Sequence, residues 1–129
     1  MTGMADRAGA MAWVTEYERA WRAGDRSAVE RLFSPDARYL RSPYDEPLVG
    51  WSAIKDFWLV DDGETFTFRA EPVAVEGNRA VVRAVVRYGQ PVRQEYTDLW
   101  LIDFAADGRV ETFEEWAHWP GRGYTAADD

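Results

Sequence analysis

The sequence predicts an α+β domain in which three N-terminal helices pack on a strongly curved, mainly antiparallel sheet. Three observations support this class. Up to about residue 60, apolar residues recur at steps of three and four, which is the period of a helix. From Thr65 onward the period changes to two, which is the period of a strand. The length of 129 residues suits one domain with one core.

The first helix is predicted from residue 8 to residue 23, because its apolar residues share one face. That face consists of Ala10, Trp13, Val14, Tyr17, Ala20 and Trp21. Gly24 follows the last of them and is the residue type that most often ends a helix at its C-cap.

Two shorter helices are predicted next. Ser27 and Glu30 have the spacing of a capping box at the start of the second helix, which stops at "SPDA". Its apolar residues are Val29, Leu32 and Phe33. The third helix lies in "WSAIKDFWLV", with Ile54, Phe57 and Trp58 on its apolar side. The intervening "ARYLRSPYDEPLVG" is predicted to hold a short strand and a proline-containing loop.

Two hairpins complete the domain. The first, "TFTFRAEPVAVEGNRAVVRAVVRYG", turns at Gly77 and Asn78, and Pro72 predicts a bulge or an edge in its first strand. The second runs from "RQEYTDLWLIDF" through the turn "AADG" to "RVETFEEWAHW". Residues 1–7 and 121–129 are predicted to be flexible, and residues 8–120 to form the domain.

Composition excludes several functions. A formal net charge of -8 argues against nucleic acid or an anionic membrane surface as partner. No apolar run approaches the length of a membrane span, and the N-terminus lacks the apolar core of a signal peptide, so a cytoplasmic location is expected. With no Cys, one His and no glycine-rich phosphate motif, we expect no metal and no cofactor.

The strand that follows Asn78 has two different faces. One face consists of Val82, Ala84, Val86 and Tyr88, and the other of Arg79, Val81, Arg83, Val85 and Arg87. We expect the arginine-rich face to be solvated or to pair two subunits, since dimer interfaces combine apolar residues with a polar rim. Whichever of Glu114 and Glu115 points outward is expected to pair with Arg83 and Arg87.

An acid interrupts the apolar face of the strand from residue 94 to residue 104. Asp98 alternates in phase with Tyr96 and Trp100, so it is expected to point inward. A buried carboxyl must be paired, protonated or functional. Two interpretations stay open: Asp98 is an acid–base group, or it is bonded to a buried arginine, tyrosine or backbone group and stabilises the core.

The register of the last hairpin decides what lies opposite Asp98. With a four-residue loop, Asp98 faces Glu115, and burial together with like charge raises one pKa by roughly 1–3 units. Such a group can move protons near neutral pH. With a three-residue loop and a glycine bulge, Asp98 faces Trp116 and Tyr96 faces His118. His118 is then the acid–base group; otherwise it is a partly exposed packing residue.

The order of these motifs resembles the nuclear-transport-factor-2-like superfamily, and most closely its SnoaL-like and ketosteroid-isomerase-like branches. The resemblance covers nearly the whole chain and depends on "AWRAGDRSAVERLFSPDARY", "LVGWSAIKDFW" and the final paired strands. It implies a cone-shaped domain, often dimeric, whose helices and sheet enclose an apolar pocket. The superfamily holds hydrolases, isomerases, dehydratases, cyclases and non-enzymes, so the fold alone does not fix the function.

The resemblance assigns roles residue by residue. Tyr17 falls where ketosteroid isomerases place the tyrosine that donates to the enolate oxygen. Their aspartate base falls on Arg41 and their protonated aspartate on Trp100, which disfavours steroid isomerase activity. The limonene-epoxide-hydrolase-like branch needs an Asp–Arg–Asp set, for which Asp98 and Arg41 match two members. Asp45 or Glu115 is the candidate for the third.

Residues and resemblance together predict a cofactor-free enzyme that transfers protons: an isomerase, dehydratase, cyclase or epoxide hydrolase. The catalytic candidates are Asp98, Tyr17, Glu115 and His118. The side chains expected to bind a small apolar or polycyclic molecule are Trp13, Trp21, Tyr39, Arg41, Trp58, Tyr96, Trp100, Phe113 and Trp119. The alternative is a non-catalytic ligand-binding module or a dimeric accessory module, with a homodimer formed through the outer sheet face.

Overall fold

The computed structural model describes residues 6–57 and 65–121. The helices are α1 (Arg7–Ala23), α2 (Val29–Leu32) with a 3-10 turn (Arg26–Ala28) before it, and α3 (Gly50–Phe57). The strands are β1 (Phe33–Leu40), β2 (Leu48–Val49), β3 (Phe66–Glu76), β4 (Arg79–Tyr88), β5 (Gln94–Phe104) and β6 (Val110–His118). Within these two ranges, no helix is long and apolar enough to cross a membrane.

The described strands form one mixed sheet in the order β2-β1-β6-β5-β4-β3, with β2 and β3 at its open edges. β1 and β6 run parallel, and the other neighbours are antiparallel. α1 packs on β3 and α3 packs on β1. The predicted class, three helices on a mainly antiparallel sheet, is confirmed.

The first helix has the predicted extent and cap. The side chain of Asp6 accepts a hydrogen bond from the N–H of Gly9, which satisfies one free donor at the helix start. Gly24 ends the helix in the left-handed conformation, with φ 65°, and its N–H returns to the carbonyls of Ala20 and Trp21. The predicted apolar face is buried except for Trp21, which is partly buried, so α1 presents its aromatic residues to the sheet.

The second helix is shorter than predicted, and its capping box does not form. The hydroxyl of Ser27 donates to Asp25 instead of capping the helix. Phe33, predicted to be helical, is extended and begins β1, which includes the whole of "SPDA". Pro35 disfavours helical conformations at the residue before it, so the chain enters the strand early.

Edge strand β3 has the irregularity that Pro72 predicts. Its pairing with β4 shifts between Pro72 and Ala74, and the two strands join at Gly77 and Asn78. Arginines from the two ends of α1 bind backbone carbonyls of β3: Arg7 Nη1 donates to Pro72 at 3.2 Å, and Arg22 Nη1 donates to Phe66 at 3.1 Å.

The two faces of the sheet differ in burial. On the inner face, which the helices cover, Val82, Ala84 and Trp100 are buried. The largest fully buried side chains are Trp100, Phe33, Phe113, Ile54, Ile102, Val29, Val82 and Val110. On the outer face, Leu99 and Trp116 lie opposite each other and are 38% and 43% exposed.

Ion pairs on the outer face join residues that lie directly opposite each other on neighbouring strands. Arg79 pairs with Asp103 at 2.7 Å and Arg87 with Glu95 at 2.9 Å, each with its direct cross-strand partner. The prediction that the outward glutamate would pair with Arg87 was wrong, because Glu95 lies opposite that arginine. Glu114 is the outward residue, and it accepts the indole N–H of Trp116.

Candidate acid–base site on the inner face of the sheet

The β5–β6 hairpin contains a bulge that changes its register. Next to the turn, Phe104 pairs with Val110, as the three-residue loop requires. An extra residue on β6, Glu111, then shifts the ladder by one position. The turn alone therefore does not determine the pairing farther along the strands.

Asp98 lies opposite Ala117 as a result. The predictions of Glu115 or Trp116 as its partner were both wrong, since each assumed an unbroken ladder. The observed register differs from the first predicted one by two residues, which is the side-chain period of a strand, so the same side chains share a face. Asp98 and Glu115 are diagonal neighbours on the inner face, and Trp100 lies directly opposite Glu115.

Hydrogen bonds join the two carboxyls to three aromatic side chains. The indole Nε1 of Trp100 donates to Oδ2 of Asp98 at 3.3 Å. The hydroxyl of Tyr39 donates to Oε1 of Glu115 at 3.4 Å, and it lies 3.4 Å from the hydroxyl of Tyr17. These distances are long for hydrogen bonds.

Burial raises the pKa of both carboxyls. Loss of hydration raises the pKa of Asp98, which is 4% exposed, while hydrogen bonds with Glu115 and Trp100 oppose the shift. Loss of hydration, and then the hydrogen bond and charge of Asp98, raise the pKa of Glu115 to about 9. Interacting groups of this kind titrate as a pair.

Asp98 and Glu115 lie close enough on the inner face for each to change the pKa of the other. In the described part of the chain, no N–H or O–H donor reaches Oδ1 of Asp98, which is buried. The predicted juxtaposition of two carboxyls beside aromatic residues is therefore present.

His118 is not part of this hydrogen-bonded group. It lies opposite Thr97 rather than Tyr96, so the register directs it to the outer face, and it is exposed. Its influence on Asp98 is that of a positive charge, which lowers the pKa of that carboxyl. The predicted contact between His118 and Tyr96 was wrong for the same reason as the register, the bulge at Glu111.

Arg41 also lies apart from the pair. It follows the last residue of β1, and its guanidinium carbon lies 5.3 Å from the ring centre of Phe57. Its Nε is 3.6 Å from Oδ2 of Asp45, and both side chains are exposed. Arg41 and Asp45 thus form an ion pair of their own.

The predicted lining residues fall into two groups. Trp13 and Phe113 are buried in the core, where Trp13 donates its indole N–H to the carbonyl of Leu32 at 2.9 Å. Trp21, Tyr96 and Trp119 are partly buried. Trp58 lies outside the described residues. The partly buried group therefore keeps some aromatic surface exposed to solvent.

Rings of the partly buried group touch one another along the inner face. Trp21 stacks on Phe66 with ring centres 4.2 Å apart, and Tyr96 meets Trp119 edge to face at 5.5 Å. Tyr88 lies between them, 5.8 Å from Phe66 and 6.1 Å from Tyr96. Phe66 and Tyr88 were not predicted, although the alternation of β3 and β4 indicated the face on which they lie.

The hydroxyl of Tyr39 lies against Glu115, and the contact of Tyr39 with a ligand stays a prediction. The parallel pairing of β1 with β6, with Tyr39 opposite Phe113, produces this contact. No local sequence signal joins residues that far apart in the chain. Among residues 6–57 and 65–121, no cluster of three or more His, Asp or Glu side chains could hold a metal ion.

The model of one protein family, the SnoaL-like domain, matches residues 14–113. A comparison with curated protein sequences gives no significant match. Similar solved structures include a protein from Jannaschia sp. CCS1 designated a SnoaL-like polyketide cyclase, with a TM-score of 0.70 and 20% identity over 86% of each chain.

Two further solved structures are similar. The epoxide hydrolase/cyclase-like enzyme SalBIII of pyran ring formation in salinomycin has a TM-score of 0.70 and 15% identity, over 84% of this chain and 89% of SalBIII. A steroid delta-isomerase from Pseudomonas aeruginosa has a TM-score of 0.63 and 24% identity, over 89% of this chain and 83% of the isomerase. At these identities the likeness establishes the fold.

Proposed function

Since the chain belongs to the SnoaL-like domain family, we propose that it is an acid–base enzyme that acts on a small apolar molecule without a cofactor. The observation that carries this proposal is the pair of inner-face carboxyls, Asp98 and Glu115, held together among aromatic rings. A pair of like charges is costly in such surroundings unless it shares a proton.

The pair can return to its starting state without a co-reactant. Its acid form gives a proton to a ligand oxygen, forming an O–H bond there as its own O–H bond breaks. The carboxylate then takes a proton from a carbon or hydroxyl of the same ligand. Isomerisation, dehydration, aldol-type cyclisation and epoxide opening all balance in this way. Structural neighbours designated cyclase, isomerase and epoxide hydrolase/cyclase-like support this range of reactions.

Tyr17 is the proposed hydrogen-bond donor to a ligand oxygen. Its hydroxyl is linked to Glu115 through Tyr39, so a charge on the ligand oxygen and the state of the pair influence each other. The partly buried rings of Trp21, Tyr96 and Trp119 favour an apolar or polycyclic ligand, because aromatic walls bind flat apolar surfaces.

Turnover in heavy water tests the proposal. The protein is incubated with a β,γ-unsaturated ketosteroid, a hydroxy-epoxide and an aromatic 1,3-dicarbonyl, and products and deuterium incorporation are read by mass spectrometry. We expect conversion of one class, reduced at least ~100-fold by Asp98→Asn with Glu115→Gln. The control combines Asp103→Asn with Glu114→Gln, the same changes on the outer face. Conversion that survives loss of the pair would contradict the proposal.

The alternative function is a dimeric accessory module, and the outer face favours dimerisation in either case. Leu99 and Trp116 form an exposed apolar pair, flanked by the ion pairs of Arg79 and Arg87. We propose that a second copy of the chain covers this face, since apolar centres with charged rims suit a symmetric interface. Sedimentation should show a dimer that Leu99→Lys dissociates. A wild-type monomer at micromolar concentration would refute the dimer.

A further inference from the structure

We propose that Ala117 is the floor of a ligand subsite, and that this subsite accepts a flat ring whose hydroxyl group is bonded to the carboxyl of Asp98. This inference rests on the proposed function and names the kind of ligand that the inner face takes. It depends on the register of four strands, on the exposure of Ala117 and on one oxygen of Asp98 that has no donor among the described residues.

Small side chains form one row across the inner face. Ala70 lies opposite Ala84, and Ala84 lies opposite Asp98. Asp98 in turn lies opposite Ala117, so the row crosses β3, β4, β5 and β6. Residues directly opposite each other have Cβ atoms about 4.5–5.5 Å apart. A group that rests on the methyl of Ala117 is therefore within reach of the carboxyl of Asp98.

At one alanine of this row, the protein fills the space itself. Phe68 lies on β3 two residues before Ala70, and Trp100 lies on β5 two residues after Asp98. Their rings stack with centres 5.7 Å apart, so the two side chains meet diagonally over β4 at Ala84. Ala84 is fully buried. A stacked ring pair thus closes the gap that a small residue leaves in this sheet.

Ala117 differs from Ala84 in that it stays partly exposed, although it lies on the same inner face. β1 pairs with β6 only as far as Glu114, so in the part of the chain that the structure describes no strand flanks β6 beyond that point. The inner-face neighbours of Ala117 along the chain are Glu115 and Trp119, which have long side chains. The inner face therefore has an opening at Ala117, between a carboxyl and an indole.

An oxygen of Asp98 indicates that a ligand uses this opening. Asp98 is 4% exposed; Trp100 donates to its Oδ2, but no N–H or O–H donor of the described residues reaches its buried Oδ1. A buried acceptor without a donor is costly. The carboxyl of Glu115 can supply a donor only when it is protonated, so Glu115 and a ligand hydroxyl are the two candidates. A hydroxyl suits both states of Asp98, since it donates to a carboxylate and accepts from a carboxylic acid.

Aromatic surface beside the opening favours a flat ring. Tyr96 precedes Asp98 by two residues on the inner face, and its ring meets Trp119 edge to face at 5.5 Å. Both side chains keep part of their surface exposed. A ring seated on Ala117 contacts this surface, and aromatic walls bind flat apolar groups. The ligand thus combines a flat ring with a hydroxyl group at its edge, as a phenol or a cyclic enol does.

Calorimetric titration with 2-naphthol, which has two flat rings and one hydroxyl, tests the subsite without a turnover assay. Ala117→Leu should raise the dissociation constant at least ~10-fold, because the leucine side chain occupies the place of the ring. Ala70→Leu, the same change at the other end of the row, is the matched control and should leave the affinity unchanged. In wild-type protein with carbon-13-labelled alanine methyl groups, 2-naphthol should shift the NMR signal of Ala117. This second measurement does not depend on the folding of a variant.

Comparison of 2-naphthol with naphthalene tests the hydroxyl contact. Asp98→Leu keeps the approximate size of the side chain and removes both carboxyl oxygens. It should change the ratio of the two affinities at least ~10-fold in favour of naphthalene. Asp103→Leu, on the outer face of the same strand, is the control and should leave the ratio as in the wild type.

Three results would overturn the subsite: unchanged affinity in Ala117→Leu, an Ala117 methyl signal that 2-naphthol does not shift, or no binding of 2-naphthol. An unchanged ratio in Asp98→Leu would refute the hydroxyl contact. If binding is as expected and no substrate is turned over, the proposed function fails and the subsite stands. If turnover is found and is the same in Ala117→Leu, the function stands and the subsite is wrong.

Discussion

The indole Nε1 of Trp100 lies 3.3 Å from Oδ2 of Asp98, and the same side chain faces Glu115 across the hairpin. One N–H group thus lowers the pKa of both carboxyls. Because an indole cannot accept a proton, Trp100 stabilises negative charge on the pair without taking part in the transfer. It fixes the pair from the enclosed side of the site.

Trp100→Phe should raise the pKa of both carboxyls, because it removes this N–H and keeps an aromatic ring. The lost hydrogen bond to a buried acceptor should lower the free energy of unfolding by about 1–3 kcal/mol, measured by urea denaturation. Trp51→Phe is the control, since Trp51 donates to the carbonyl of Phe33 outside the pair. Unchanged carboxyl titration in Trp100→Phe would contradict the shared role of the indole.

Stability should fall as pH rises from about 4.5 to about 9, the ordinary and raised pKa of Glu115. In this window the folded chain binds the pair's proton and the unfolded chain has released it, so each pH unit costs up to about 1.4 kcal/mol. Glu115→Gln should flatten the slope, and Glu114→Gln should not. Thermal unfolding at a series of pH values in this range measures the slope. A wild-type stability that rises toward alkaline pH would show that the pKa of Glu115 is not raised.

Tyr39→Phe should raise the pKa of Glu115 further, because the tyrosine hydroxyl lowers it by donating to Oε1. Carbon-13 NMR titration of the glutamate carboxyls measures the shift. Tyr44→Phe removes a hydroxyl from a side chain that is 90% exposed and serves as the control. If Tyr39→Phe leaves the titration where it was, the hydrogen bond does not exist in solution.

A second pH dependence should appear in acid. Glu16 lies between Arg19 and Arg31, whose hydrogen bonds lower its pKa to about 2. Its contribution is present above the ordinary pKa of 4.5 and is lost as pH falls toward 2. Glu16→Gln should therefore lessen the acid sensitivity of unfolding, by a small amount because the pair is solvated. If the stability of Glu16→Gln depends on pH below 4.5 as the wild type does, the ion pairs of Glu16 contribute nothing measurable to stability.

The sequence predicted which face each side chain occupies better than it predicted which residue lies opposite. Asp98 was placed inward correctly because alternation along β5 is a local property of its eleven residues. The residue opposite Asp98 depends on the bulge at Glu111, and the residues of the turn do not predict that bulge. The observed register differs from the ideal one by two residues, and such a shift keeps every side chain on the same face of the sheet. The prediction that Asp98 and Glu115 share the inner face was therefore right although the predicted register was wrong.

Contacts between distant elements were the least predictable. Tyr39 meets Glu115 because β1 runs parallel to β6, and such a pairing leaves no periodic trace in either segment. The start of β1 at Phe33 was missed for a similar reason. Phe33 fits the helical spacing of the preceding apolar residues, but it pairs in the sheet. Helix α1, with a full amphipathic face and both caps, was predictable from local signals alone.

Arg7 and Arg22 bind backbone carbonyls of the edge strand β3, and this contact has a consequence for the solubility of the folded chain. An unprotected edge strand can pair with a strand of another molecule and so start the growth of fibrils. Here two guanidinium groups bind the carbonyls of Pro72 and Phe66, and Pro72 itself offers no N–H. We expect Arg7→Met with Arg22→Met to hasten amyloid-dye binding on prolonged incubation. Helix α1 would then be a guard against polymerisation as well as a wall of the interior.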